Sequence, residues 1–201
     1  FSDNESGASF WSEVADRIDY YLMAGDTIDD VIAGYREATG QAPMLGKWAY
    51  GYWQSKERYR TSEELMSVVR EYRERQIPID NIVQDWNYWA DYKPGDEIAT
   101  WESASANWSS LSFHPSTYPD PSSLIAEIQN SYHMHYMISI WPAVGPATDV
   151  YRELDAGGYL YEPEHWSTGR IYDAFSEDAR NIYWKYLKAG LIDKGVDALW
   201  M

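Results

Sequence analysis

From residue 47 onward the chain alternates short apolar runs with amphipathic stretches, and each apolar run opens into a polar or aromatic-rich loop. Lys47 to Trp53 reads as a strand. Thr61-Ser62-Glu63-Glu64 has the sequence of a capping box, and Leu65, Val68, Val69 and Tyr72 give the following helix one apolar face. Asp80 to Trp86 reads as a second strand, and residues 87–118 as a long insertion rich in Trp, Ser and Pro. Asp120-Pro121 opens another helix, with Pro at its first position. Met134 to Trp141 is a third strand, followed by a loop from Pro142 to Asp149 and a short helix through Ala156. Ser176 caps a longer helix whose first turn carries Glu177 and Asp178, which suits the helix dipole. Its apolar face holds Ile182, Tyr183, Tyr186 and Leu187, with Gly195 as the stop and Val196 to Met201 as a fourth strand. Strands alternating with helices predict a parallel sheet. Four such units with long loops after the strands predict the first half of a (β/α)8 barrel, with a doubly wound sheet as the alternative. The chain has no GxGxxG or GxxxxGK loop, which disfavours a nucleotide site.

Upstream, residues 1–24 alternate polar and apolar around Phe10-Trp11 and Tyr20-Tyr21-Leu22-Met23, which predicts one or two strands. This stretch reads as the end of a β-sandwich-like domain. Residues 25–46 read as a linker helix and loop, with Thr27 as N-cap and Gly40 as the stop. Residues 47–201 then form the half-barrel, with the insertion at 87–118.

Composition narrows the chemistry. The 201 residues include 11 Trp and 18 Tyr but only 4 Phe. These side chains join an apolar face to a polar handle, which suits a sugar ring as well as a protein core. The net charge of −16 argues against nucleic acid and against anionic membrane surfaces. No run approaches the roughly 18 apolar residues of a membrane helix. With no cysteine, disulfides and thiolate metal sites are excluded, while the compartment stays open.

The densest chemistry lies in Ile82-Val83-Gln84-Asp85-Trp86-Asn87-Tyr88-Trp89. A buried strand there ends on a carboxylate ringed by aromatics, at the strand end where parallel α/β proteins bind ligands. Asp85 is either a sugar ligand or a cap on the following loop. Trp101 and Trp108 in the insertion are either a sugar platform or anchors for the loop. Asp173 is a further carboxylate within reach of the strand ends. His133 and His135 share one strand face, but no acidic third ligand stands near them and no metal is expected.

Beyond these local signals, the chain resembles glycoside hydrolase family 31. The resemblance rests on Lys47-Trp48-Ala49-Tyr50-Gly51-Tyr52-Trp53-Gln54-Ser55-Lys56-Glu57-Arg58-Tyr59, the helix from Ser62 to Arg75, Ile77-Pro78-Ile79-Asp80, and Val83 through Trp89. It continues in Phe113-His114-Pro115, Phe175 through Arg180, Tyr183-Trp184, and Gly195 through Met201. The 54–59 run, Ile140-Trp141-Pro142 and Tyr172 through Phe175 are most similar to the α-xylosidase branch. The resemblance implies a retaining α-glycosidase on a (β/α)8 barrel, acting on oligosaccharides without a cofactor. It implies that Asp85 hydrogen-bonds the sugar in the −1 subsite, that Trp200 flanks the nucleophile, and that Trp86, Trp141 and Glu57 line the same pocket. It places the nucleophile directly after Met201 and the acid/base further downstream, so no catalytic residue is expected within this chain. An α-xylosidase, an α-glucosidase and a non-catalytic sugar-binding or structural barrel remnant are the readings it leaves.

Overall fold

Four parallel strands laid side by side in chain order form the sheet of the larger of two units. The computed structural model describes residues 2–89, 101–162, 164–165 and 167–201, so part of the predicted insertion, residues 90–100, lies outside the described residues. The chain divides into two compact units, Phe1–Leu45 and Gly46–Met201. In the first, β1 (Ser2–Asn4) pairs antiparallel with β2 (Gly7–Ser9), and α1 (Ile28–Thr39) follows. Thr27 and Asp30 close a reciprocal capping box at the start of α1, and Gly40 ends it at φ 84°. The strands expected around Phe10-Trp11 and Tyr20–Met23 do not form. Alternation alone makes no strand where no neighbouring edge accepts its hydrogen bonds.

In the second unit, β3 (Trp53–Lys56), β4 (Asn81–Gln84), β5 (His135–Ser139) and β8 (Ala198–Trp200) make the parallel sheet, in the order β3-β4-β5-β8. Helices α2 (Ser62–Glu74), α3 (Trp101–Ala106), α4 (Pro121–Asn130), α5 (Asp149–Ala156) and α6 (Glu177–Gly190) occupy the connections. A small antiparallel pair, β6 (Ala143–Val144) with β7 (Arg170–Ile171), braces the long connection after β5. Neither of these two-residue strands is long enough to leave a period-two signature in sequence.

The first strand begins later than its aromatic pattern predicts. Lys47–Tyr50 is a 3₁₀ turn closed by Ala49 N–H to Gly46 O and Gly51 N–H to Trp48 O. Gly51 passes so close to Asp80 that a side chain there would overlap the carboxylate, which accepts the Tyr52 N–H at 3.1 Å. Pairing with β4 therefore starts only at Trp53. The helix starts agree more closely with their signals. Thr61, Asp120, Thr148 and Ser176 each accept a backbone N–H three residues on. Glu64, expected to complete a capping box, takes the Arg60 N–H at 2.9 Å and the Lys56 ammonium at 2.7 Å. Helix α6 ends at Gly190, and Gly195, expected to stop it, instead closes the short 3₁₀ turn Ile192–Lys194 in the left-handed region at φ 105°.

Register sorts the strand residues into two faces. Ile82, Tyr136 and Ile138 belong to the apolar core with Leu65 and Val69 of α2, Ile125 and Ile128 of α4, and Leu187 of α6. Val83, Met137 and Ala198, level with one another, face the other way. Asp85 continues that second set, two residues beyond Val83. The sheet therefore has a helix-covered face and a face that carries the functional end.

Helix α6 leans on the insertion at Gly190, where a Cβ would overlap the Leu111 carbonyl oxygen. Inside a helix Ala is normally preferred to Gly by about 1 kcal/mol. Here the overlap with backbone outweighs that gain, so Gly190→Ala should lower the thermal midpoint. An equal or higher midpoint by calorimetry would show that α6 and the insertion are not in contact there.

Candidate functional site

The candidate site is built from the carboxyl ends of three adjacent strands. Lys56 pairs with Gln84 and Gln84 with Ile138, so one residue further the same register sets Glu57, Asp85 and Ser139 level, with Trp200 paired to Ser139. The strands stop at this level because the chain needs its polar groups elsewhere. Asp85 Oδ1 accepts the Trp86 N–H at 2.7 Å, which turns the chain out of the sheet. Below it, Gln84 is fully buried, with its amide donating to Tyr59 O at 3.2 Å and the Tyr118 hydroxyl 2.6 Å from its Oε1.

Above the strand ends lies a cavity of about 290 Å³ lined by Glu57, Trp86, Trp101, Trp108 and Trp141. Its walls are a chain of indoles. Trp108 is buried, with ring centroids 5.5 Å from Trp86, 5.5 Å from Trp89 and 5.4 Å from Trp141. Trp101, on α3, stands edge-on to Trp86 at 6.3 Å and is 48% exposed at the rim. The Trp141 backbone is pinned to the helix layer. Its carbonyl accepts the Tyr183 hydroxyl at 2.8 Å, and its N–H donates to Ser109 Oγ at 3.1 Å. His165 packs against the Trp141 ring at 6.3 Å, and burial lowers its imidazole from the usual range.

Charge in the site comes from three neighbours. Burial raises the Asp85 carboxyl above the ordinary aspartate range. The Trp86 N–H opposes this, Glu57 adds to it, and Arg58 opposes it. The Glu57 carboxylate accepts from Trp86 Nε1 at 3.4 Å and pairs with Arg58 Nη1 at 3.3 Å. The Arg58 guanidinium in turn lies over the Trp86 ring, 5.1 Å from its centroid. Apolar ring faces beside a carboxylate acceptor can hold a ligand with C–H faces and hydroxyl edges.

Of the residues expected from sequence, Glu57, Trp86 and Trp141 line the one cavity, and Asp85 lies next to two of them, Trp86 and Glu57, without itself lining it. Trp200 ends β8 at the same level, 47% exposed, outside the cavity lining. Both insertion tryptophans belong to the wall, so Trp101 and Trp108 anchor the loop and face the cavity together. Asp173 is occupied elsewhere. It accepts the Tyr161 hydroxyl at 2.6 Å and the Phe175 N–H at 3.0 Å, and the Tyr161 bond chiefly holds its carboxyl below the usual range. His135 stacks on Trp48 at 4.1 Å and lies 3.1 Å from Asp197 Oδ1, at the opposite end of the strand. Among the described residues no group of three or more His, Cys, Asp or Glu could hold a metal, and no helix is long and apolar enough to cross a membrane. Arg58 was not singled out from sequence. Its only signal was its place beside Glu57, one residue past the strand end. A larger cleft of about 450 Å³ lies between residues 107–115 and helices α5 and α6, away from the strand ends.

A parallel sheet with helix connections, carrying an aromatic cleft and a carboxylate at its carboxyl end, has the arrangement of a barrel-type α/β protein, with the cleft at the end of the sheet where such proteins bind ligands. Residues 42–201 match the glycosyl hydrolases family 31 TIM-barrel domain, and the chain belongs to that family. It is 41% identical over 95% of its length to an α-xylosidase of Saccharolobus solfataricus, and it spans 23% of that relative. Its fold is similar to the crystal structure of a family 31 α-xylosidase from Xanthomonas citri, with 40% identity and a TM-score of 0.73 over 89% of this chain and 19% of that one. A family 31 α-xylosidase from a soil metagenome, solved in complex with xylose, is similar at 33% identity and a TM-score of 0.73, over 89% of this chain and 25% of that one. The chain thus spans about a quarter or less of the length of these relatives.

Proposed function

We propose that the protein carrying this chain is a retaining α-glycosidase that removes α-linked xylose from oligosaccharides. The observation that supports this most is the cavity at the ends of β3, β4 and β5, lined by Glu57, Trp86 and Trp141, with Asp85 adjacent to Trp86 and Glu57. In this reading Asp85 accepts hydroxyls of the sugar in the −1 subsite. Charge-assisted bonds of that kind contribute roughly 1.5–3 kcal/mol. Trp86 and Trp141 cover the ring faces, Glu57 lines the rim, and Trp200 flanks the reacting carbon. Retention requires two carboxyl groups about 5–5.5 Å apart. We place the nucleophile at the position after Met201 and the acid/base beyond it, and assign no catalytic group to residues 1–201. No cofactor enters this chemistry.

The α-xyloside reading is preferred to an α-glucoside one because of a comparison within one organism. The chain is 41% identical to the α-xylosidase of S. solfataricus and 25% identical to its α-glucosidase. Glucose differs from xylose by a hydroxymethyl group, and an apolar wall discriminates such a group by about 10–200-fold. The full-length protein should therefore hydrolyse p-nitrophenyl α-xyloside with a kcat/KM at least tenfold above that for the α-glucoside, while residues 1–201 alone hydrolyse neither. The reverse preference would assign the site to glucosides, and turnover by residues 1–201 alone would refute the placement of the nucleophile.

A further inference from the structure

Beside two residues of the cavity wall, Glu57 and Trp86, stands a cation that the sugar-binding reading leaves without a task. The Arg58 side chain is only 18% exposed, although it carries a permanent charge. Its Nη1 pairs with Glu57 at 3.3 Å, and its guanidinium covers the Trp86 ring at 5.1 Å. Its Nε is buried and has no hydrogen-bond partner among the described residues. A guanidinium desolvated to this degree is costly unless neighbouring charges and ring faces hold it. The groups that do so are all at the ends of β3 and β4. Glu57 bonds both Arg58 and Trp86 Nε1, and the Trp86 N–H bonds Asp85.

We infer that Arg58 is a positioning residue for the sugar-binding end of β4: its guanidinium clamps the Trp86 indole and neutralises the Glu57 carboxylate that lies level with Asp85. Asp85 and Glu57 act on one another and on this cation; Lys56 and Arg60 share the groove with Glu57 and Arg58, but both are paired with Glu64. Without the cation, Glu57 and Asp85 repel each other across adjacent strand ends, and Trp86 loses the face contact that fixes its ring. Burial already raises the Asp85 carboxyl, so removal of Arg58 leaves it protonated to higher pH. The protonated form no longer offers a sugar hydroxyl a charged acceptor. Lysine would keep the charge but lose the planar stack, because its compact ammonium cannot lie flat on an indole.

This inference rests on the proposed sugar site for its kinetic consequence, though not for its structural one. The test uses the full-length protein labelled with 5-fluorotryptophan, with the Trp86 resonance assigned through Trp86→Phe. In Arg58→Gln that resonance should move and broaden, and its pH midpoint, which follows Asp85, should rise. In Arg58→Lys the resonance should move while the midpoint stays. With p-nitrophenyl α-xyloside, Arg58→Gln should raise KM at least fivefold with kcat within about twofold, and Arg58→Lys should recover part of that rise. A wild-type resonance and midpoint in Arg58→Gln would overturn the inference. If Arg58→Gln does not fold, a wild-type resonance in Arg58→Lys would overturn the clamp. If the unmodified protein turns over no α-glycoside, the functional proposal fails, and the fluorine spectra still decide the role of Arg58.

Discussion

Replacing Asp85 by Ala should lower kcat/KM for an α-xyloside at least tenfold while leaving the thermal midpoint nearly unchanged. A tenfold loss corresponds to about 1.4 kcal/mol of transition-state stabilisation, near the lower end of what one charge-assisted hydrogen bond contributes. Within the fold Asp85 makes one modest bond, to the N–H of the next residue, and it is partly exposed, so little stability depends on it. Loss of a loop cap would do the opposite. It would cost about 1 kcal/mol of stability and leave the kinetics alone. The pair of measurements therefore separates the two readings of a carboxylate at a strand end. Asp85→Asn should fall between wild type and Asp85→Ala, because the amide still accepts a hydrogen bond but carries no charge.

The largest stability effect should come from Trp108→Ala. Trp108 is buried and touches four other indoles, which join the insertion to the ends of β4 and β5. Truncating a buried Trp costs about 3–5 kcal/mol, from lost burial and the cavity left behind. The same change opens the wall between Trp86 and Trp141, so substrate binding should weaken in whatever fraction stays folded. Trp108→Phe should cost markedly less. Urea unfolding checks both, and a loss below about 1 kcal/mol for Trp108→Ala would mean that the insertion does not depend on this cluster.

These effects meet at residues the sequence pattern marked unevenly. Most helices were legible because their starts are written in local chemistry. Thr61, Asp120 and Ser176 accept hydrogen bonds three residues on, and that spacing needs no tertiary information, whereas Thr148 caps α5 without having been singled out and α3 lies inside what reads as a loop. The second and third strands were legible because their apolar runs are bounded on both sides. The first was displaced because Lys47–Tyr50 and Trp53–Lys56 carry the same aromatic alternation, and the choice between them rests on Gly51 passing Asp80. The place of Asp85 at the end of β4 was legible, because a carboxylate directly after an apolar run marks where the strand stops. Arg58 was not, since its contacts depend on β3 and β4 meeting in space, and for Trp101 and Trp108 the sequence left platform and anchor open for the same reason. Phe10 to Met23 shows the reverse failure, a strand-like pattern with no strand.

The most direct test of the central claim follows the hydrolysis of an α-xyloside by the full-length protein with proton NMR in the first minutes of reaction. The account predicts that α-xylose appears first and then mutarotates, and that Asp85→Ala slows this appearance at least tenfold without altering the anomer. Release of β-xylose, or an α-xylose signal that is indifferent to Asp85, would contradict it.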